Sequence, residues 1–177
     1  MEIRDPIVNV IYEGIKREIQ LTLDAGCLRA PVLLTYSGID AMAYLGMPAS
    51  QDDVKGADFI DWCNKYMRFP CVEQLTGADL YGARCAALHN YGAVSRMSRE
   101  GKCRIIVYGD KFQPEVIFNP AVNATLVFVS IPALAEAFFR GIDRFLPDLF
   151  SDPARGKVAE QRMHSNSLNL CPFNPAT

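Results

Sequence analysis

An arginine and a histidine five residues apart, Arg84 and His89, are the side chains of this sequence best suited to chemistry on a phosphate. The planar guanidinium of an arginine can donate two parallel hydrogen bonds to phosphate oxygens. A histidine has a reference pKa near neutral pH, which suits proton transfer. Structural roles are the alternatives: Arg84 could be one half of a buried ion pair, and His89 a hydrogen-bonded packing residue.

Both residues lie in the stretch TGADLYGARCAALHNYGAV, residues 76–94, which is predicted to be helical. Thr76 as N-cap and Asp79 three residues later have the spacing of a capping box. At 100° per residue, Arg84 falls in the middle of the apolar stripe and His89 about 140° away, so the two side chains should leave the helix on different faces. The stripe comprises Leu80, Tyr81, Ala87, Leu88 and Tyr91.

The helix face around His89 is formed by small residues, Gly82, Ala86 and Ala93, which would let another surface approach closely. With Arg84 on a different face, one helix alone offers an incomplete site. A two-fold dimer that places two such helices together would build one cleft from two Arg/His pairs. We therefore expect a homodimer.

A second helix, VLLTYSGIDAMAYL, is apolar nearly all round and should be central in the fold. Asp40 is its one ionisable residue, and an unpaired buried carboxylate is costly. Arg84 is the natural partner of Asp40. The pair could be purely structural, or Asp40 could orient Arg84 towards a phosphate.

The spacing from Arg84 to His89 resembles the R-x4-6-H motif of the HEPN superfamily, the helical domains named for higher eukaryotes and prokaryotes nucleotide-binding. The surrounding LYGARCAALHNYG resembles that motif in small bacterial members. The resemblance implies a HEPN-like helical bundle that dimerises and cleaves RNA without a metal at a cleft between subunits. It assigns Arg84 to the scissile phosphate and His89 to proton transfer as the 2′-hydroxyl attacks.

One residue departs from the pattern of active HEPN members, in which the residue after the arginine is commonly polar. Here it is Cys85, a weak polar substitute or a packing residue. Tyr81, Asn90 and Tyr91 are further supporting candidates that could contact RNA, although the two tyrosines would fit the core equally well. Three hypotheses remain open: a ribonuclease of toxin or defence type, a non-enzymatic dimer that binds nucleotide, RNA or a partner such as a cognate antitoxin, and an unrelated helical protein.

The only net basic part of the chain, residues 76–111, contains this helix and carries 6 Lys and Arg against 3 Asp and Glu. Four of these cations follow the helix closely: Arg96, Arg99, Lys102 and Arg104. They could simply stabilise the C-terminus of the helix. Alternatively, they could form a phosphate-binding rim for RNA.

Composition limits the other possibilities. The chain has 177 residues and a net charge of −2, the size and balance of one globular domain. It has only two histidines and no C-x2-C pair, so we expect reduced cysteines, no metal site and no cofactor. No apolar run reaches the roughly 18 residues needed to cross a bilayer, and MEIRDPIV has charges where a signal peptide is apolar. The expected location is cytoplasmic, with no membrane partner.

The predicted fold is mainly α: about five helices with a small antiparallel β element inserted at about 103–130, before the last long helix. One HEPN-like domain spans 1–164, and 165–177 form a loose tail. Asp5 and Pro6 mark the start of the first helix, capping spacing at Ser50 and Asp53 marks the start of the third, and Pro147 marks the end of the last long one. Residues 151–163 could form a short polar helix.

Overall fold

A computed structural model describes residues 8–69 and 73–166, which form a helical bundle with a small β-sheet. The predicted mainly α architecture, with a β element before the last long helix, is confirmed. In chain order the elements are a π-helical segment (Val8–Lys16) continued by α1 (Arg17–Asp24), then α2 (Arg29–Gly46), α3 (Gly56–Tyr66), α4 (Gly77–Asn90), α5 (Arg96–Arg99), β1 (Ile105–Gly109), β2 (Val116–Ile117), β3 (Leu126–Ser130), α6 (Ile131–Phe150) and α7 (Pro153–Asn166).

Helix α2 is the centre of the bundle and contacts α1, α3, α4, α6 and α7. Its buried face includes Tyr36, Ile39 and Met42, none of which is exposed. At Gly38 the ring of Phe138 from α6 comes so close that a Cβ would lie 2.6 Å from it. This close packing explains why an almost wholly apolar helix is stable here, and it fixes the orientation of Asp40 on the same helix.

The sheet has the order β1-β3-β2 and is mixed. Val116 of β2 pairs with Val129 of β3 in the predicted antiparallel manner, but β1 runs parallel to β3, with Val107 opposite Phe128. The expectation of a purely antiparallel element is therefore wrong for β1. The connection across residues 110–125 is long enough for a parallel crossover, with the short β2 on the far side of β3.

Two helix boundaries differ from the sequence-based expectation. Helix α3 begins at Gly56 because the Asp58 carboxylate accepts the Lys55 amide at 2.7 Å, which leaves Ser50 and Asp53 outside the helix. Helix α6 continues through Pro147 to Phe150. The proline lies one turn from the end and is exposed, while its neighbours Leu146 and Leu149 are buried, so core packing holds the last turn.

The described residues begin at Val8 and end at Asn166. The predicted start of the first helix at Asp5 and Pro6 lies outside the described residues. The polar helix expected near the C-terminus is α7, and it extends to Asn166. Residues 167–177 of the expected tail also lie outside the described part.

Candidate functional site

The start of α4 is fixed as predicted. Asp79 donates its amide to Thr76 Oγ1 at 3.1 Å, and the Thr76 amide donates to Asp79 Oδ2 at 2.9 Å. The reciprocal bonds satisfy amide groups that have no partner within the helix. Together with the end of α4 at Asn90, they set the position of every candidate residue between.

Arg84 and Asp40 form the predicted ion pair between α4 and α2. Arg84 Nε donates a hydrogen bond to Asp40 Oδ2 at 2.9 Å, and Nη2 lies 2.8 Å from the same oxygen. Each side chain is 22% exposed, so the pair lies at the edge of the core, not deep inside it. The buried face of α4 is centred near Ala83, which places Arg84 at its margin instead of in the middle of the apolar stripe.

Arg84 and His89 meet, contrary to the expectation that they leave α4 on different faces. Arg84 Nη1 lies 3.3 Å from His89 Nε2. The helical-wheel angle describes the Cβ positions, whereas the long arginine side chain can bend along the helix to the exposed His89. Arginine has only N–H donors, so a hydrogen bond at this distance requires His89 Nε2 as its acceptor.

Burial and pairing act differently on the pKa values of Asp40 and Arg84. Burial raises the pKa of the Asp40 carboxyl, and the hydrogen bond and charge of Arg84 lower it again only in part. Burial also opposes the charge on Arg84, but its bonds to Asp40 raise the pKa of the guanidinium above its usual value. Arg84 therefore stays cationic, held by one carboxylate oxygen, with Nη1 on the side of His89.

Of the supporting candidates, Tyr81 and Cys85 lie beside Arg84, whereas Asn90 lies at the end of α4. Tyr81 packs on Phe59 with ring centroids 5.5 Å apart, and burial followed by the neighbouring Cys85 raises the pKa of its hydroxyl. Cys85 also interacts with Arg84, so it adjoins the ion pair. Asn90 is exposed at the last residue of α4. Tyr81 and Cys85 thus line one side of Arg84, and Asn90 follows His89 in the chain.

The small-residue face of α4 is covered by the chain itself. A Cβ at Gly82 would overlap Cys103 Sγ and lie 3.3 Å from Ser95 Oγ, and Ala86 is fully buried. Of the three small residues, only Ala93 is exposed. The sequence reasoning missed that the segment after α4 folds back over the helix, so Gly82 and Ala86 are unavailable to a second subunit.

The basic rim divides into two parts. Arg96 and Lys102 form ion pairs with Glu100 at 3.5 and 2.7 Å, and the charge of Arg99 also acts on Glu100. This carboxylate offsets part of the positive charge. Arg96, Arg99 and Lys102 are exposed and remain accessible to an anion.

Arg104 has a different role from the one expected. Its guanidinium donates to Asp79 Oδ2 at 2.7 Å and to the Gln74 carbonyl at 2.8 Å, and it also forms an ion pair with Glu73. Its side chain is 16% exposed. All three guanidinium nitrogens are engaged in joining β1 to the start of α4, so we do not include Arg104 in a phosphate site.

Sequence reasoning also missed Arg29 and its contact with Tyr91. Arg29 begins α2, and its guanidinium lies 6.0 Å from the centroid of the Tyr91 ring at the end of α4. Tyr91 adopts a left-handed backbone with φ 53°, which is unfavourable for a residue with a Cβ. A non-glycine residue at a helix C-cap position followed by Gly92 is a signal that could have drawn attention to it.

Comparison with known proteins supplies no relative: no family model, curated protein or solved structure matches this chain. None of the helices in the described residues is long and apolar enough to span a membrane. Within 8–69 and 73–166, no three His, Cys, Asp or Glu side chains lie together as metal ligands would.

Proposed function

We propose that this protein is a HEPN-like, metal-independent endoribonuclease of toxin or defence type that acts in the cytoplasm. The observation that supports it best is the 3.3 Å contact between Arg84 Nη1 and His89 Nε2. It places a fixed cation beside an exposed imidazole, the two groups that phosphodiester cleavage by an internal nucleophile requires.

In the proposed reaction Arg84 binds the scissile phosphate through Nη1, while Asp40 holds Nε and Nη2 and so sets the plane of the guanidinium. As Nη1 turns from His89 Nε2 to the phosphate, the lone pair of Nε2 is released and accepts the proton of the 2′-hydroxyl. The 2′-oxygen then attacks phosphorus, and the bond to the 5′-oxygen breaks as that oxygen takes up a proton from solvent water, while His89 releases its proton to solvent. The products are a 2′,3′-cyclic phosphate and a 5′-hydroxyl end.

The proposal retains a homodimer with a composite cleft, but on a different surface of α4. Gly82 and Ala86 are covered, whereas Leu88, one turn beyond Arg84, is 39% exposed. Contact through this exposed side would bring Arg84 and His89 of two subunits towards each other. Arg96, Arg99 and Lys102 would then attract the RNA backbone at longer range.

A non-enzymatic dimer that binds nucleotide, RNA or a partner such as an antitoxin is the second candidate. It is favoured by the ion pair itself, because Asp40 neutralises Arg84 and occupies two of its nitrogens. In that case Arg84 and His89 would form a binding surface, with no proton transfer.

Product analysis separates the two candidates. Purified protein is incubated in EDTA with a mixed pool of 5′-labelled RNAs, and the new ends are identified by their sensitivity to phosphatase and to acid. The ribonuclease proposal expects 2′,3′-cyclic phosphate and 5′-hydroxyl ends. Intact RNA that nevertheless binds the protein in fluorescence anisotropy would favour the non-enzymatic dimer.

A further inference from the structure

A cleft of about 400 Å³ opens where the start of α2, the end of α4 and β1 meet. This volume lies in the range of small-ligand sites. Most of its wall is apolar, formed by Leu28, Val32, Leu33, Ala87, Ile106 and Ile131. Arg29 and Asp110 supply the two charges of its lining.

Tyr91 gives this cleft an exposed aromatic wall. Its side chain is 67% exposed, and Arg29 is its neighbour at 6.0 Å. The left-handed backbone is the conformation in which glycine is usual at a helix end, and Gly92 follows directly. A large ring therefore stands mostly in solvent, at a backbone position that does not favour a side chain, and its face away from Arg29 is available for stacking.

The cleft lies on the same seam between α2 and α4 as the Arg84–His89 contact. Asp40 and Arg84 join the two helices at one point, and Arg29 and Tyr91 join them again further along. Seven residues separate Arg84 from Tyr91, a rise of roughly 10 Å along a helix. This spacing lets neighbouring parts of one extended strand reach both Arg84 and Tyr91.

We infer that the cleft binds an unpaired base of the RNA strand, next to the nucleotide whose phosphate lies at Arg84. The base stacks on Tyr91 against the apolar wall, Asp110 accepts a hydrogen bond from an exocyclic amine or ring N–H, and Arg29 contacts the adjoining phosphate. The inference rests on the proposed function, and it adds a requirement for an unstacked base beside the cut.

The test measures binding of two fluorescent 12-nucleotide 2′-O-methyl strands, which cannot be cleaved by 2′-hydroxyl attack. One has ordinary bases and the other is abasic throughout. Fluorescence anisotropy should show about tenfold tighter binding of the strand with bases to wild-type protein. Tyr91→Gly, which suits the left-handed backbone, should abolish this preference and leave abasic binding unchanged, while Tyr91→Phe should retain it.

Tyr12→Ala, at another exposed tyrosine beside a cation, serves as the control and should behave as wild type. An unchanged preference in Tyr91→Gly, or equal wild-type binding of the two strands, would overturn the base site while leaving the ribonuclease proposal intact. Failure of both strands to bind wild type would overturn both proposals. Tighter binding of AMP or UMP than of the strand would show that the cleft takes a free nucleotide, which also overturns the inference.

Discussion

The pairing of Arg84 with Asp40 was predictable because each is an ionisable residue on a helix that is otherwise largely apolar. The contact between Arg84 and His89 was not, because a helical wheel gives the direction of Cβ and omits the length of an arginine side chain. The consequences for function are large. Two groups expected on separate faces lie within hydrogen-bond distance in one subunit.

Removing Asp40 should destabilise the protein measurably. Asp40→Ala leaves the partly buried Arg84 without its carboxylate, and we expect a loss of about 2 kcal/mol in the free energy of unfolding, between the values for exposed and fully buried pairs. Urea unfolding measures it, with Glu13→Ala as a control at an exposed pair on the π-helical segment. A wild-type unfolding midpoint for Asp40→Ala would mean that the pair contributes no stability.

The pH dependence of stability should depend on Asp79. Burial alone would raise the pKa of this carboxyl, but hydrogen bonds from Arg104 and Thr76 lower it below its usual value. A carboxyl whose pKa is lowered in the folded state stabilises the fold at pH values above its unfolded-state pKa, which is about 3.9. This stabilisation is lost as the pH falls towards the folded-state pKa.

The corresponding variant is Asp79→Asn, which keeps the size of the side chain and removes its charge. It should lower the free energy of unfolding at pH 7 by about 3 kcal/mol and flatten the loss of stability below about pH 4. Urea midpoints measured from pH 7 to pH 3 provide the comparison. If the variant lost stability between about pH 4 and pH 3 as steeply as wild type, Asp79 would not be the cause of that loss.

Among the elements, α4 has a start that the sequence predicted correctly, because its capping box involves nearby residues and needs no tertiary information. The same spacing failed at Ser50 and Asp53, where Asp58 provides the cap instead. The parallel pairing of β1 with β3 depends on a crossover through 110–125, and strand composition does not record such a path. Local chemistry therefore predicted element types better than their boundaries and pairing.

The packing of the segment after α4 can be tested at Gly82. A new Cβ there would overlap Cys103 Sγ, so Gly82→Ala should cost about 1–3 kcal/mol instead of gaining helix stability. Gly14→Ala is the matched control, because its Cβ would meet only Asn9 O at 3.4 Å. Combining Gly82→Ala with Cys103→Ala should recover most of the loss in thermal unfolding. Stabilisation by Gly82→Ala alone would contradict the packing.

In the molecule as a whole, α2 is held in place by other helices besides α4. Helix α7 contributes from the far side, since Arg162 donates to the Tyr44, Met47 and Pro48 carbonyls at the end of α2. The covering of Gly82 and Ala86 arises at this scale, from a return of the chain that no periodicity within α4 could predict. Because Gly82 and Ala86 are covered, the proposed dimer surface is the side of α4 that carries the exposed Leu88.

The oligomeric state follows from this surface. We expect sedimentation equilibrium at micromolar concentration to give twice the monomer mass for wild type. Leu88→Arg, which places a charge on the exposed apolar side, should give monomer with an unchanged circular dichroism spectrum. Lys157→Ala, at an exposed position on α7, should stay dimeric. A wild-type monomer would contradict the composite cleft.

The most direct test of the central claim is the initial rate of RNA cleavage in EDTA by wild type, Arg84→Lys and His89→Ala. We expect each variant to lose at least about 100-fold in rate, because one removes the planar guanidinium and the other the proton acceptor. His164→Ala and Arg17→Ala, at an exposed histidine and an exposed arginine elsewhere, should cleave as wild type does. Cleavage that persists in both site variants, or its absence from folded wild type, would contradict the assignment of Arg84 and His89.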